Sequence, residues 1–352
     1  MIKKIIALGL VAVSMSITTP AFADYTFIVP QKPGGGTSVW ATIVAKELEK
    51  FLGEKIIIQH IPGANDIPGF NKFHNDLRFD DKTIMVSHGG NGESYLVGDV
   101  DYDYYQYDPI GMMNLTIVNA HRNDFDPFGG TIKFSAGSGM NPDMMSHLLM
   151  IGGPELTIKQ AQDMFASNYK FIKGMSGGER RLSYERGELT VTRDSTAAYK
   201  KYYTNKDFSV VWYSHGIFNL TTGKVESDPN FLDQSFAQVF ERKWSVAPSG
   251  EFYDAYILLR NFRDVMQKAL WVNKNNPNTE KLQAAMQAMI NDPASLAEIE
   301  KNAGQYPWIV GNDVVIALDQ LRSQIKPKVL SNLVNFLQFT GTPAIYKENL
   351  IK

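Results

Sequence analysis

The stretch from Tyr25 to Gly53, YTFIVPQKPGGGTSVWATIVAKELEKFLG, decides the fold. Its β-branched and aromatic start predicts a buried strand, and the later apolar residues recur at the spacing of a helix. Between them lie three glycines, after which Thr37 or Ser38 is expected to cap the helix through its hydroxyl. Gly53 is expected to end the helix in a left-handed conformation. A glycine turn that opens onto a helix N-terminus presents free N–H groups and the positive end of the dipole, so this stretch favours binding of an anion.

The glycine turn does not match a nucleotide-binding motif. The residues after Gly36 are Thr-Ser-Val-Trp, with neither the lysine of a P-loop nor the third spaced glycine of a dinucleotide fingerprint. Taken alone, the turn leaves two interpretations open: an anion site, or a tight strand-to-helix connection without a ligand.

The first 23 residues have the pattern of a secretory signal peptide. A basic start with Lys3 and Lys4 is followed by an apolar run too short to span a membrane, and Ala21-Phe22-Ala23 matches an A-x-A cleavage site. The mature chain is expected to begin at Asp24 and to lie in the periplasm. No cysteine is near the cleavage site, which argues against a lipid-anchored form.

Length and composition favour a two-domain globular protein without nucleic-acid or membrane partners. The chain has 352 residues and no cysteine, so its stability must come from apolar cores and not from disulfides. Its formal charge is −2, or −4 once Lys3 and Lys4 are removed, which argues against binding to nucleic acid or to an anionic membrane. No later stretch reaches the roughly 18 apolar residues of a membrane span.

A strand, a loop of small residues and a helix recur along the chain. Further loops of this kind follow predicted strands at residues 88–92, 135–139 and 174–178. Alternating strands and helices predict a parallel sheet with its loops gathered at the carboxyl ends of the strands, where ligands bind. We therefore expect two facing sets of N–H groups that attract anions.

The remaining segments carry weaker signals. Residues 99–108 are expected to form an acidic, aromatic loop, because a calcium loop would need glycine at Tyr104 and glutamate at Ile110. From Phe252 onward the pattern predicts helices, including one over residues 253–272, with a packing role and no part in a site. The histidines show no metal-ligand spacing, so neither a metal nor another cofactor is expected.

The stretch FIVPQKPGGGTSVWATIVAKELEKFLGEKIIIQHIPGAND resembles the opening of the solute-binding proteins of tripartite tricarboxylate transporters. The resemblance lies in Val29-Pro30, in the Pro-Gly-Gly-Gly-Thr loop of residues 33–37 and in the Pro-Gly-Ala turn of residues 62–64. Later loops of the family are similar to residues 87–91, 135–141 and 172–176, and the family's late aspartate falls on Asp194. This sequence departs from the family at Ser38, where an aspartate is usual.

The resemblance implies an α/β fold of the type II periplasmic-binding-protein kind, with two α/β lobes and a hinged central cleft, a "Venus flytrap". Residues 24–114 and 217–352 are expected to form lobe 1, and residues 115–216 lobe 2. The implied function is to capture a small di- or tricarboxylate and deliver it to membrane permease subunits, as a monomer and without catalysis.

Backbone amides and hydroxyls of the loops would hold the ligand carboxylates. The predicted ligand-binding residues are Pro33, Gly34, Gly35, Gly36, Thr37, Ser38, Ser87, His88, Gly89, Asn91, Ser135, Gly137, Ser138, Gly139, Asn141, Lys173, Gly174, Ser176, Arg193 and Asp194.

Two other functions remain open from the sequence. Residues 174–178 match the G-x-S-x-G pattern of a serine hydrolase, with Ser176 as nucleophile, His215 as base, and Asp194 or Asp207 as acid. Alternatively, the ligand-bound protein could dock on a membrane signalling sensor. Transport and signalling both require only that a partner recognises the surface of the closed, ligand-bound form.

Overall fold

A six-stranded sheet forms the centre of the computed structural model, which describes residues 24–63, 66–219, 222 and 224–351. The predicted signal peptide and Ala64 of the Pro-Gly-Ala turn lie outside the described residues. The strands of the whole structure are β1 Tyr25–Val29, β2 Ile56–His60, β3 Thr83–His88, β4 Tyr107–Met113, β5 Ile117–Arg122, β6 Ile132–Ala136, β7 Tyr169–Lys173, β8 Val191–Ser195, β9 Ser209–Ser214, β10 Ile217–Asn219, β11 Lys224–Glu226, β12 Lys268–Asn273 and β13 Trp308–Val310.

Helices pack around the sheets and connect them. Their bounds are α1 Gly36–Leu52, α2 Ile67–Asn75, α3 Gly89–Val97, α4 Pro142–Gly152, α5 Ile158–Asn168, α6 Gly177–Glu185, α7 Thr196–Tyr203, α8 Phe236–Trp244, α9 Glu251–Val265, α10 Thr279–Asn291, α11 Pro293–Ala303, α12 Asn312–Ser323 and α13 Pro327–Phe339.

The six strands of the large sheet lie in the order β13-β4-β12-β3-β1-β2. Strands β1, β2 and β3 are parallel, as expected for strands joined by α1 and α2. Strand β12 comes from far along the chain and inserts antiparallel between β3 and β4. The buried side chains of β1 alternate between two apolar cores, with Phe27 packing on one side and Ile28 on the other. This alternation explains why the opening stretch fixes the start of the sheet.

Smaller sheets are built from the middle of the chain. Strand β5 pairs antiparallel with β8 and β9, and β6 pairs in parallel with β7. All five of these strands come from residues 115–216, whereas the six strands of the large sheet come from residues outside that range. The predicted boundaries of the two lobes stay a prediction.

Two helix starts differ from the prediction. The N-cap of α1 is Gly35, which makes no side-chain cap, so the prediction that Thr37 or Ser38 caps this helix was wrong. Both hydroxyls lie inside the first turn because the helix begins earlier than expected. Gly53 does end α1, with φ of 71°. The predicted loop at residues 88–92 is also wrong, because α3 begins at Gly89.

The strands β4, β10, β11, β12 and β13 were missed in the sequence. Residues 253–272 are not one helix, since α9 ends at Val265 and residues 268–273 form β12 in the centre of the sheet. Residues 107 and 108, assigned to a loop, begin β4. Pro109 cannot donate a backbone hydrogen bond, and the sheet accommodates it with a register shift between Leu270 and Trp271, the residue opposite Pro109.

Candidate functional site

The first loop, residues 33–38, opens α1 without a side-chain cap. Gly34 has φ of 79°, a conformation that glycine adopts without strain, and its N–H donates to Ser38 Oγ over 3.3 Å. The N–H of Thr37 donates to Gln31 Oε1, also over 3.3 Å. Pro33 is exposed, whereas Thr37 and Ser38 are buried. The first N–H groups of a helix have no partners within it, so this end of α1 retains donor capacity for an anion.

Lys268 reaches the first loop from the start of β12. It lies opposite His88 in the sheet register, and its Nζ donates to Thr37 Oγ1 over 3.1 Å. No carboxylate of the described residues lies within 4.0 Å of this ammonium. Burial, reinforced by the cation of Arg263, lowers the pKa of Lys268 to about 7. The first loop therefore adjoins a buried amine whose hydrogen-bond partner is a hydroxyl and on which the Asp66 carboxylate acts only from beyond 4.0 Å.

The second loop, at residues 87–91, is satisfied by side chains of the protein itself. Ser87 Oγ accepts from Trp271 Nε1 over 2.8 Å, and Gly89 N donates to Gln267 Oε1 over 2.9 Å. His88 and Asn91 form a capping box at the start of α3. These contacts occupy donors that the sequence analysis assigned to a ligand, so the N-terminus of α3 is less open than that of α1.

The first two loops meet at His88. Its Nε2 lies 2.6 Å from Asp66 Oδ2 and 3.3 Å from Gln31 Nε2, and Gln31 also donates to Asp66. Burial lowers the pKa of His88 in spite of the Asp66 carboxylate. The parallel pairing of β1 with β3 brings the two loops side by side, as the sequence predicted.

A buried charge cluster lies beyond the second loop. Arg263 of α9 pairs with Glu93 of α3, and Arg193 of β8 lies 3.2 Å from Asp143 of α4. The cluster joins elements from both parts of the chain that the sequence analysis assigned to separate lobes. It consists of Glu93, Asp143, Arg193, His215, Arg260, Arg263 and Asp264.

His215 links the two parts of the cluster. Its Nε2 lies 3.1 Å from Asp143 Oδ1 and its Nδ1 lies 3.4 Å from Asp264 Oδ2, and the ring is fully buried. Burial would lower the pKa of His215, but hydrogen bonds and the charges of the two aspartates raise it above its ordinary value. The imidazole of His215 therefore lies between a carboxylate of α4 and a carboxylate of α9.

Two other members of the cluster have shifted pKa values. Burial raises the pKa of Glu93 to about 7, although Arg263 acts in the opposite direction. Burial and the cation of Arg263 lower the pKa of Arg193 to about 10. The side chain of Arg193 is thus 13% exposed and has a carboxylate neighbour.

The third loop, residues 135–141, is held mainly by its own contacts. Ser135 Oγ donates to Ile172 O over 2.8 Å, and Ser138 Oγ accepts from Met140 N over 3.0 Å. Asn141 Oδ1 caps α4 by accepting from Asp143 N, while its buried Nδ2 has no hydrogen-bond partner among the described residues. This amide is the donor of the third loop that remains available for a ligand.

The fourth loop, residues 173–178, is exposed and closed by a capping box. Ser176 Oγ accepts from Glu179 N over 3.3 Å, and Ser176 N donates to Glu179 Oε2 over 2.7 Å. Lys173 Nζ donates to Gly341 O over 2.7 Å. A carboxylate of the protein therefore occupies the N-terminus of α6, where the sequence analysis expected a ligand.

The loops come together in two pairs. Gly174 N donates to Ala136 O over 3.0 Å, and the third and fourth loops share a shallow cavity of about 260 Å³. Its lining includes Gly137, Gly139, Lys173 and Gly174. Hydrogen bonds from Ser176 lower the pKa of Glu179, and the Lys32 ammonium adds to that effect.

The last two predicted site residues have different surroundings. Arg193 belongs to the buried charge cluster. Asp194 accepts two hydrogen bonds from Arg181, of 2.7 and 2.8 Å, and is thereby paired within the protein. The ligand contacts assigned to these residues, as to the loops, stay predictions.

The residues proposed for a serine hydrolase do not form a triad. Among the described residues no hydrogen bond joins Ser176 to His215: the hydroxyl of Ser176 caps α6, and both ring nitrogens of His215 face aspartates. Asp194 is paired with Arg181. Across the described part of the chain, no group of histidines and acidic residues could hold a metal ion, and no helix is long and apolar enough to cross a membrane.

Sequence reasoning missed the charged residues of α9 and β12. Arg263 and Lys268 fell inside the segment interpreted as one packing helix, so their position beside α3 and the first loop could not be inferred. The apolar run Ala-Leu-Trp-Val after Lys268 was the available signal, since four apolar residues also suit a buried strand. Nothing in the local sequence marks Glu93 as buried.

Comparisons with known proteins identify the fold. No family model and no characterised protein sequence matches the chain. Among solved structures, the periplasmic binding protein BugD matches with a TM-score of 0.56 at 14% identity, over 90% of this chain and 96% of that chain. MatC from Rhodopseudomonas palustris with bound malate matches with a TM-score of 0.56 at 14% identity, over 90% and 98% of the two chains.

A third match is an R. palustris protein solved with adipate, with a TM-score of 0.58 at 11% identity, over 91% of this chain and 97% of that chain. A TctC solute-binding protein from Polaromonas gives a TM-score of 0.52 at 15% identity, over 90% and 98%. The protein therefore has the fold of periplasmic binding proteins, and the fold class and the structural resemblance to tripartite tricarboxylate solute-binding proteins are confirmed.

Proposed function

We propose that the protein is a periplasmic solute-binding protein that captures a small carboxylate between its two lobes. The uncapped N-terminus of α1, next to a buried amine that has no carboxylate of the described residues within 4.0 Å, is the observation that carries this proposal. The other helix starts in the predicted site are closed by side chains of the protein: His88 and Asn91 at α3, Asn141 at α4, and Ser176 with Glu179 at α6.

The physical chemistry of a carboxylate fits this end of α1. Removing a carboxylate from water is costly unless hydrogen-bond donors replace the lost solvent, and bonds to a charged acceptor are the strong kind. The backbone N–H groups of Gly36 and Ser38, the hydroxyl of Thr37 and the amide of Asn141 are the donors we assign to the ligand. MatC and the adipate-bound protein share the fold, which supports a carboxylate as the ligand class.

Closure of the lobes would then couple binding to a change of shape. The buried charge cluster joins β8 and α4 to α3 and α9, so it lies where the proposed lobes meet. A ligand that contacts both sides would favour the closed form by population shift. We propose that the closed, monomeric form delivers the ligand to membrane permease subunits after export directed by residues 1–23.

The proposal is tested with a thermal-shift screen of mono-, di- and tricarboxylates against the purified mature chain. A ligand that binds only the folded state raises the melting temperature. At a ligand concentration of 100 times its dissociation constant, it adds about 2.7 kcal/mol to the free energy of unfolding. We expect a rise with at least one dicarboxylate and none with the matched diamide. Equal, negligible shifts across all carboxylates would contradict the proposal.

A further inference from the structure

We propose that Lys268 is a specificity-determining residue of this site: its ammonium binds an anionic group of the ligand at the N-terminus of α1 and takes up a proton when the ligand enters. The inference rests on the proposed function, because it concerns the same site. It adds a fixed cation to a site whose sequence pattern offered only backbone amides and hydroxyls.

Lys268 differs from the other buried cations around it. Arg263 is paired with Glu93, Arg193 with Asp143, and Arg260 with Asp264 over 3.1 Å. Lys268 is only 7% exposed, and its recorded hydrogen bond goes to the neutral hydroxyl of Thr37. An ammonium has three N–H donors, so in the described part of the chain this one keeps two of them without a recorded acceptor.

The position of Lys268 is unfavourable for a purely structural cation. It lies at the start of α1, where the helix dipole is positive, and within the field of the Arg263 guanidinium. Both interactions repel a positive charge, and the more distant Asp66 carboxylate offsets them only in part. An anion placed between the ammonium and the helix end would turn both interactions into attraction.

Proton uptake follows from the same geometry. Burial and Arg263 lower the pKa of Lys268 to about 7, so most of this amine is neutral at pH 8 in the free protein. A bound carboxylate would raise that pKa, and with a pKa of about 9 in the complex the protein would take up about 0.8 of a proton at pH 8. Affinity should therefore be highest below pH 7 and fall as the pH rises above it.

Other titratable groups face Lys268 and must be separated from it. His88 of β3 lies opposite it in the sheet, Asp66 precedes α2, and Arg263 belongs to α9. Glu93 of α3 pairs with Arg263 and also titrates with a pKa of about 7. Glu93→Gln removes that second titration and leaves Lys268 in place.

The experiment is calorimetry with malate and adipate as probes, at pH 6 to 9, in buffers of different ionisation enthalpy. The variants are Lys268→Met, Lys268→Arg and Glu93→Gln, with Lys274→Met as the matched control, because Lys274 lies just after β12 and is half exposed. Circular dichroism and urea titration of each variant establish that it is folded.

We expect Lys268→Met to lower affinity by about tenfold to a hundredfold at pH 6 and to abolish proton uptake. An arginine at position 268 stays charged from pH 6 to pH 9, so Lys268→Arg should bind the probes with the same affinity at every pH in this range. Glu93→Gln and Lys274→Met should retain the proton uptake of the wild type.

Unchanged affinity and unchanged proton uptake in folded Lys268→Met would overturn the inference while leaving the proposed function standing. Uptake that disappears in Glu93→Gln and persists in Lys268→Met would assign the proton to Glu93 and also overturn it. Wild type that binds neither probe, and no carboxylate in the thermal-shift screen, would overturn the proposed function together with the inference.

Discussion

The first and fourth loops, Pro-Gly-Gly-Gly-Thr-Ser and Gly-Met-Ser-Gly-Gly-Glu, are both rich in glycine and small residues. The helices that follow them nevertheless differ in whether side chains cap the N-terminus. At the fourth loop, Ser176 and Glu179 close the N-terminus of α6 with a hydroxyl and a carboxylate of the protein. At the first loop, Gly35 leaves α1 uncapped, and a lysine lies beside it. A glycine-rich turn before a helix therefore predicts an affinity for anions. The residue three positions after the N-cap decides whether a carboxylate of the protein itself already occupies that helix end.

The largest expected effect concerns the buried charge cluster, which has no counterpart at the exposed fourth loop. We expect Asp143→Ala to lower the free energy of unfolding by about 3–5 kcal/mol, because it removes the carboxylate that pairs with Arg193 and one of the two carboxylates that face the buried His215. Urea denaturation measures this change. The matched control is Glu188→Ala, which breaks an exposed pair with Arg186 next to α6 and should change stability little. Equal losses of stability in the two variants would contradict the expectation that the buried charge cluster contributes more to stability than the exposed ion pair near the fourth loop.

The next effect compares the two loops directly through affinity. Gly35→Val would bring its Cβ to 3.2 Å from Gln31 Oε1 and Lys32 O, so the first loop must shift away from the ligand position. We expect a loss of malate affinity of at least about a hundredfold, which is about 2.7 kcal/mol. Gly178→Ala at the fourth loop meets nothing within 4 Å and should bind normally. Calorimetry in which both variants bind like the wild type would contradict the assignment of the ligand to the first loop.

A smaller effect concerns the pH dependence of stability. Burial raises the pKa of Glu93 to about 7 in the folded protein, above its ordinary value of 4.5, so the folded state binds this proton more tightly than the unfolded state. The resulting stability is fully present below about pH 4.5 and is lost as the pH rises through 7. We compare the free energy of unfolding of Glu93→Gln with that of the wild type at each pH. The difference should favour the variant by about 1–3 kcal/mol more at pH 8 than at pH 5. Urea titrations at both pH values measure it, and a constant difference would show that Glu93 does not titrate in this range.

The smallest expected effect concerns Ser176. Removal of its hydroxyl in Ser176→Ala takes away the cap of α6 and should cost about 1 kcal/mol of stability, while malate affinity stays the same. Ser176→Thr keeps a capping hydroxyl and should restore most of the stability. A loss of affinity in Ser176→Ala would return the fourth loop to the ligand site, and measurable ester hydrolysis by the wild type that this variant lacks would favour the hydrolase interpretation.

Much of the fold followed from local patterns. Gly53 ends α1 as expected, and Gly304 follows the end of α11 in the same way. Asp292 with Pro293 starts α11 as an N-cap and first-turn proline. Such features depend on a few neighbouring residues, because capping and proline geometry act over one helical turn. The capping box of Ser176 and Glu179 was equally visible, and was missed because the glycines were interpreted first as a ligand loop.

The insertion of β12 into the large sheet was not visible in the sequence. Residues 268–273 are apolar enough for a helix or a strand, and the choice depends on β3 and β4, which lie more than 150 residues earlier. Because that choice was missed, so was the position of Lys268 beside Thr37. Long-range strand pairing places residues by hydrogen bonds that local sequence does not encode.

The sequence by itself determined the alternation of strands and helices, the glycine turns and the absence of disulfides, because each depends on residue type and short spacing. Only the tertiary structure decided which buried cation pairs with a carboxylate and which one does not. That property depends on groups that approach from distant parts of the chain, where burial and the distance between charges set both the hydrogen-bond partners and the pKa values.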